Sequence, residues 1–173
     1  MQEKDGWVYI LNQQLEQENA NYRIINASIS GETTEGGLAR LPAILDKNKV
    51  DYLLVELGGN DGLRGFPPKL IKNNLLQIIE IAQQKNIKVL LSSIQIPPNY
   101  GARYNKMFAQ VFIDAAKETQ TPLIPFFIES VATNQDLMQA DGIHPTKEAQ
   151  PILAQKMKQI IDNQLATNTS SSE

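Results

Sequence analysis

Residues 50–57, VDYLLVEL, form an almost unbroken apolar run. A strand with one wet face alternates apolar and polar side chains. A continuous run fits a strand covered on both faces, as in a parallel sheet. The runs IKVLLSSI at 87–94 and PLIPFF at 122–127 repeat the signal, and YRIIN at 22–26 reads as another short strand. Between them the spacing is helical. Trp7, Leu11 and Leu15 stand four apart within 5–18, and Leu38, Leu41 and Leu45 line one side of 34–47. Pro42 falls inside that second helix, where a missing N–H favours a kink. Ile71, Leu75, Ile78 and Ala82 mark a stripe over 68–85, and 101–118 is helical too. Leu153, Met157, Ile160 and Ile161 face inward over 147–165, with Pro151 distorting the first turns. Strands separated by helices pair in parallel through right-handed crossovers. The expected fold class is therefore α/β, a three-layer α/β/α sandwich. One domain is expected over 1–165, followed by a disordered polar tail, ATNTSSSE, at 166–173.

Composition narrows the function classes. With 173 residues and a formal charge of −3, the chain has no basic stripe for nucleic acid and no polybasic segment for an anionic membrane. It has no apolar run long enough to span a bilayer, so stable membrane insertion is not expected. MQEKDGWVYILNQQ is not a signal peptide, because it lacks a basic start and an unbroken apolar stretch. There is no cysteine, hence neither a disulfide nor a thiolate metal site, and a single histidine leaves too few ligands for structural zinc.

In parallel α/β sheets, ligand sites gather at the carboxyl ends of the strands. Polar, glycine-rich stretches fall there: NASISGET, GGNDGLRG and SSIQIPPNYG. In GGND, Gly58 and Gly59 permit a tight turn, and the Asn60 amide can donate to a developing oxyanion. The same letters also suit a turn whose Asn caps the backbone. Gly31, in ISGE, can offer a backbone N–H to the same oxyanion or simply make a turn. DGIHP places Asp141 three residues before His144, close enough to accept from Nδ1–H and leave Nε2 as a base. A solvent-bonded histidine in a helix-entry loop is the alternative. GLRGFPP, 62–68, can form a mobile loop over a pocket, with Leu63 and Phe66 as apolar contacts; otherwise Phe66 packs on its own helix.

Taken together, Gly31, Gly58-Gly59-Asn60-Asp61 and Asp141-Gly142-Ile143-His144 resemble the SGNH (GDSL) hydrolase family, in that order. Longer stretches, among them NASISGETTEGGLARLPAIL, LLVELGGNDGLRGFPP and DGIHPTKEAQP, resemble its bacterial acyl-CoA thioesterase I / lysophospholipase / arylesterase branch over about 7–165. The resemblance implies a flavodoxin-like sheet and hydrolysis of small-molecule acyl esters and thioesters through an acyl-serine. It assigns His144 as the base, Asp141 as its orienter, and Gly31 and Asn60 as oxyanion donors. It implies no cofactor, a monomer, and a periplasmic or secreted full-length protein. The family's serine-bearing block has no counterpart in these residues, since MQEKDGW contains no serine. Ser28, Ser30, Ser92 and Ser93 sit in no G-x-S-x-G elbow or GDSL turn. The expectation is a chain without its nucleophile and without the first central strand, inactive on its own, whose serine lies upstream. A catalytically dead acyl-binding domain is the alternative. A flavodoxin-like nucleotide or flavin binder lacks a phosphate loop and leaves the Asp–His pair unexplained.

Overall fold

The structure is a computed structural model and describes residues 3–169. In chain order its main elements are α1 (Trp7–Gln17), α2 (Thr34–Lys47), β1 (Tyr52–Val55), α3 (Gly59–Leu63) and α4 (Pro68–Gln84). After these come β2 (Lys88–Ser92), α5 (Ala102–Thr119), β3 (Leu123–Ile124), α6 (Glu129–Ala132) and α7 (Gln150–Thr169). The chain forms two compact units, Ala27–Phe126 and Met1–Asn26 with Phe127–Glu173.

The first unit holds a three-stranded parallel sheet in the order β1-β2-β3. Register pairs Leu54 with Leu90, Val55 with Leu91, and Leu91 with Leu123. Alternation then sends Leu53, Val55, Val89 and Leu91 to one face. That face packs on Leu41 and Leu45 of α2, Ile71, Leu75, Ile78 and Ile79 of α4, and Phe108 and Phe112 of α5. The four-residue spacing of the helical stripes thus meets the two-residue spacing of the strands. Each large side chain so buried contributes roughly 1.5–3 kcal/mol.

Local chemistry sets the helix ends. Thr33 caps α2 by accepting from the Gly36 N–H at 3.2 Å, and α2 continues through Pro42. Pro68 opens α4, where its missing N–H removes no intrahelical bond. Gln120 ends α5 in a left-handed conformation, with Pro122 two residues on.

The second unit packs α1, α6 and α7 around Leu11, Leu15, Phe127, Val131, Leu153 and Met157. Trp7 meets Phe127 edge-on at 5.7 Å between ring centroids, and its backbone N–H donates to Gln150 Oε1 at 3.1 Å.

The structure departs from the sequence expectation at YRIIN, at PLIPFF and in the C-terminal tail. YRIIN, 22–26, is not a strand. The Asn12 side chain satisfies the Ile24 backbone instead, accepting from its N–H and donating to its C=O, both at 2.8 Å. At Ile24 a side-chain amide thus occupies the two bonds a neighbouring strand would make. PLIPFF yields only the two-residue β3: its pairing with β2 ends where Ser93 N–H donates to Ile124 O at 3.0 Å. Finally, α7 runs on through Thr169, so 166–169 of the expected tail are helical; Thr167 Oγ1 bonds to the Asn163 and Gln164 carbonyls. Residues 170–173 of that tail lie outside the described residues.

Candidate active site

DGIHP folds as a tight turn before α7. Asp141 Oδ1 accepts from the backbone N–H groups of Ile143 (2.9 Å) and His144 (3.0 Å), while Oδ2 lies 2.7 Å from His144 Nδ1. Gly142 adopts φ 67° and donates to Gln139 O, and Gln139 N–H returns to His144 O at 2.7 Å. An antiparallel bridge between Met138 and Pro145 closes the loop. The carboxylate thus grips the imidazole and the backbone that carries it. These bonds, led by the His144 N–H and then its ring, hold the Asp141 carboxyl well below the usual carboxylate range. Nε2 has solvent access, the His144 side chain being 65 % exposed.

In the other unit, two turns carry Gly31 and Asn60. Gly31 has φ 77°, a conformation that favours glycine. Gly58 ends the run after β1 with φ 111°, and a Cβ there would come within 3.0 Å of Phe112. The chain therefore reverses directly over the core and enters α3, which presents Asn60. Asn60 Nδ2 donates to Glu32 O at 2.9 Å. A carbonyl only accepts, so this bond fixes which end of the amide is nitrogen and leaves the second N–H for another acceptor. Burial pushes the Glu56 carboxyl, one residue past β1, up to about 7.

Beneath Asn60 lies a buried network. Asp61 Oδ2 accepts from Thr34 N–H at 2.9 Å and Oδ1 from Thr34 Oγ1 at 2.5 Å; Asn74 Nδ2 donates to Thr34 Oγ1 at 3.0 Å. Asp61 and Thr34 are fully buried. These contacts bind the start of α2 to α3 and α4. The sequence reading missed them. Their one visible signal is Asn74, a polar residue beside Ile71, Leu75 and Ile78 on the apolar stripe of α4.

The stretch 62–68 is tied down, where the sequence suggested a mobile loop. Tyr104 Oη donates to Phe66 O at 2.6 Å and Tyr100 Oη to Leu63 O at 2.8 Å; Phe66 N–H returns to Asp61 O at 3.0 Å. Phe66 packs against the core and Leu63 is partly exposed at the end of α3. Tyr100 stands just before Gly101 and Tyr104 in the first turn of α5, so the two flank the start of that helix.

A parallel α/β sheet carries a glycine turn after its first strand, and a carboxylate-oriented histidine stands in the loop before the last helix, features that hydrolases of the α/β class can use. The comparisons with known proteins agree. Residues 2–151 match the model of the GDSL-like Lipase/Acylhydrolase family, and the chain belongs to that family. It is 49% identical to Esterase TesA of Pseudomonas aeruginosa over 88% of this chain and 76% of that protein. It is 45% identical to Thioesterase 1/protease 1/lysophospholipase L1 of Escherichia coli K12, over 88% of this chain and 72% of that protein. Among solved structures, the psychrotrophic esterase EstA of Pseudoalteromonas superposes with a TM-score of 0.93 at 43% identity, covering 96% of this chain and 91% of that one. The fold is that of the SGNH hydrolases, and the membership makes this chain an esterase-type hydrolase in general terms.

Proposed function

We propose that the protein cleaves carboxylic esters and acyl thioesters through an acyl-serine intermediate, with 1–165 acting as one monomeric catalytic domain. The observation that carries this reading is the Asp141 carboxylate 2.7 Å from His144 Nδ1, which leaves Nε2 free to accept a proton. In the proposed sequence, His144 takes the proton of a serine hydroxyl as its oxygen bonds to the acyl carbon. The Gly31 backbone N–H and the Asn60 amide donate to the resulting oxyanion. The C–O or C–S bond to the leaving group breaks, and His144 returns its proton to that group. Water repeats the cycle on the acyl-serine and releases the acid. Leu63 and Phe66 contact the acyl chain.

The serine belongs, in this proposal, to a segment upstream of residue 1, so residues 1–173 alone carry base and oxyanion donors without a nucleophile. The protein expressed with its upstream in-frame sequence should release p-nitrophenol from a short acyl ester with a burst, and residues 1–173 should not. An upstream sequence without a GDSL-type block, or a folded protein containing that serine but without esterase or thioesterase activity, refutes the reading. Binding of an acyl ligand in that case would favour a catalytically dead acyl-binding domain.

A further inference from the structure

The proposed oxyanion donors belong to separate turns, and one residue joins those turns. Glu32 accepts at its carbonyl from Asn60 Nδ2 at 2.9 Å, and its own N–H donates to Ile29 O at 3.2 Å, closing the turn that contains Gly31. Its carboxylate accepts from Thr33 N–H at 3.1 Å and from Arg40 Nε at 2.6 Å. Arg40 reaches further: Nη2 donates to Ala27 O at 2.8 Å. A single guanidinium on α2 therefore grips both ends of the segment 27–32. The fork of Arg40 uses two nitrogens for two acceptors, which the single point donor of a lysine does not reproduce.

The carboxylate has a prepared seat. A Cβ on Gly36 would fall 1.9 Å from Glu32 Oε1, so a side chain at residue 36 would displace the carboxylate from this position. The pair is partly shielded, with 16 % of the Glu32 and 29 % of the Arg40 side chain exposed. A surface ion pair alone contributes little. This one is joined by backbone bonds at each end, and it sits one residue from Gly31.

We infer that Glu32 and Arg40 are positioning residues: their ion pair fixes the Gly31 N–H and the Asn60 amide relative to each other, so that both donors point at one oxyanion. The inference rests on the ester-hydrolase reading above. Neither side chain touches the reacting atoms. Both act through the Gly31 turn and the Glu32 carbonyl.

The test uses Arg40→Gln, Arg40→Lys and Glu32→Gln, each alone and with Asn60→Ala, in the protein carrying its upstream sequence. Displaced donors should lower kcat about ten-fold while KM stays within about two-fold, since sub-ångström misplacement weakens only the transition state. Arg40→Lys should recover part of the loss. With Asn60→Ala present, the Arg40→Gln effect should shrink, because one of the positioned donors is already gone. A second readout needs no chemistry: the 15N–1H resonances of the Gly31 backbone and the Asn60 side chain should shift and broaden in Arg40→Gln. Unmoved resonances, or an equal loss of kcat with and without Asn60, would overturn the inference. A wild-type protein without esterase activity refutes the functional reading instead, and the resonances still decide whether Arg40 holds the two turns.

Discussion

Replacing Asp61 with alanine should unfold the protein at markedly lower urea. The carboxylate is fully buried and accepts from the Thr34 backbone N–H at 2.9 Å and the Thr34 hydroxyl at 2.5 Å. Alanine removes both acceptors and leaves two buried donors without a partner. Each such donor costs about 1–3 kcal/mol, which puts the loss near 4 kcal/mol. With a urea slope of about 2 kcal/mol per molar, the midpoint should fall by about 2 M. Far-UV circular dichroism is the suitable probe, because Trp7 lies in the other unit and reports on that unit's core. Thr34→Ser is the control. It keeps the N–H and the hydroxyl, and it should cost less than about 1 kcal/mol if the hydrogen bonds dominate. Thr34→Ala added to Asp61→Ala should cost much less than it does alone, because the shared bond is already gone. An Asp61→Ala midpoint within about 0.5 M of the parent would show that water or a shifted side chain replaces the carboxylate, and the reasoning would fail.

In the active enzyme, Asn60→Ala should lower kcat by ~10²–10³-fold, as for one lost oxyanion donor; an unchanged kcat reassigns Asn60 to turn formation. Tyr104→Phe and Tyr100→Phe each remove a hydroxyl bond worth about 0.5–1.5 kcal/mol to the backbone of 63–66, so amide exchange there should quicken by about two- to ten-fold with little change elsewhere. Glu56 supplies a pH dependence. Its folded pKa of about 7 lies above its unfolded value, so the protonated carboxyl favours folding in acid, and that stability is lost as pH rises towards 7. Glu56→Gln should flatten the stability profile over that window, and an unaltered slope from urea melts at several pH values would show that another group titrates.

The long helices were legible because each rests on a local repeat, whereas the short α3 and α6 have none. The stripes through Ile71–Ala82 and Leu38–Leu45 need no knowledge of the partner they pack on, and α2 and α4 match the expected spans to within a residue. DGIHP was legible for the same reason: a carboxylate and an imidazole three residues apart meet within one turn. YRIIN misled because its β-branched letters describe a preference, whereas Asn12 settles where its backbone bonds go. PLIPFF misled less, since its first half does pair with β2. The links around Glu32 and Asp61 were invisible for another reason. Asn60 donates to a main-chain oxygen 28 positions away, and Thr34 offers a main-chain N–H to a carboxylate 27 positions away. Main-chain atoms are the same in every residue, so no letter announces these two bonds; only Asn74, polar on an apolar stripe, hints at the side-chain part of the network.

The tyrosine clasp on 63–66 bears on how such a protein diversifies. Tyr100 and Tyr104 hold carbonyl oxygens, which every substitution at Leu63 or Phe66 retains. The path of the segment is thereby uncoupled from the side chains it displays. Variation at 63 can alter the size and polarity of the displayed surface while the backbone stays in register with α5; Phe66, packed against the core, admits apolar replacements. Directed libraries confined to Leu63 should contain mostly folded members, whereas polar or small residues at 66 should lose core packing.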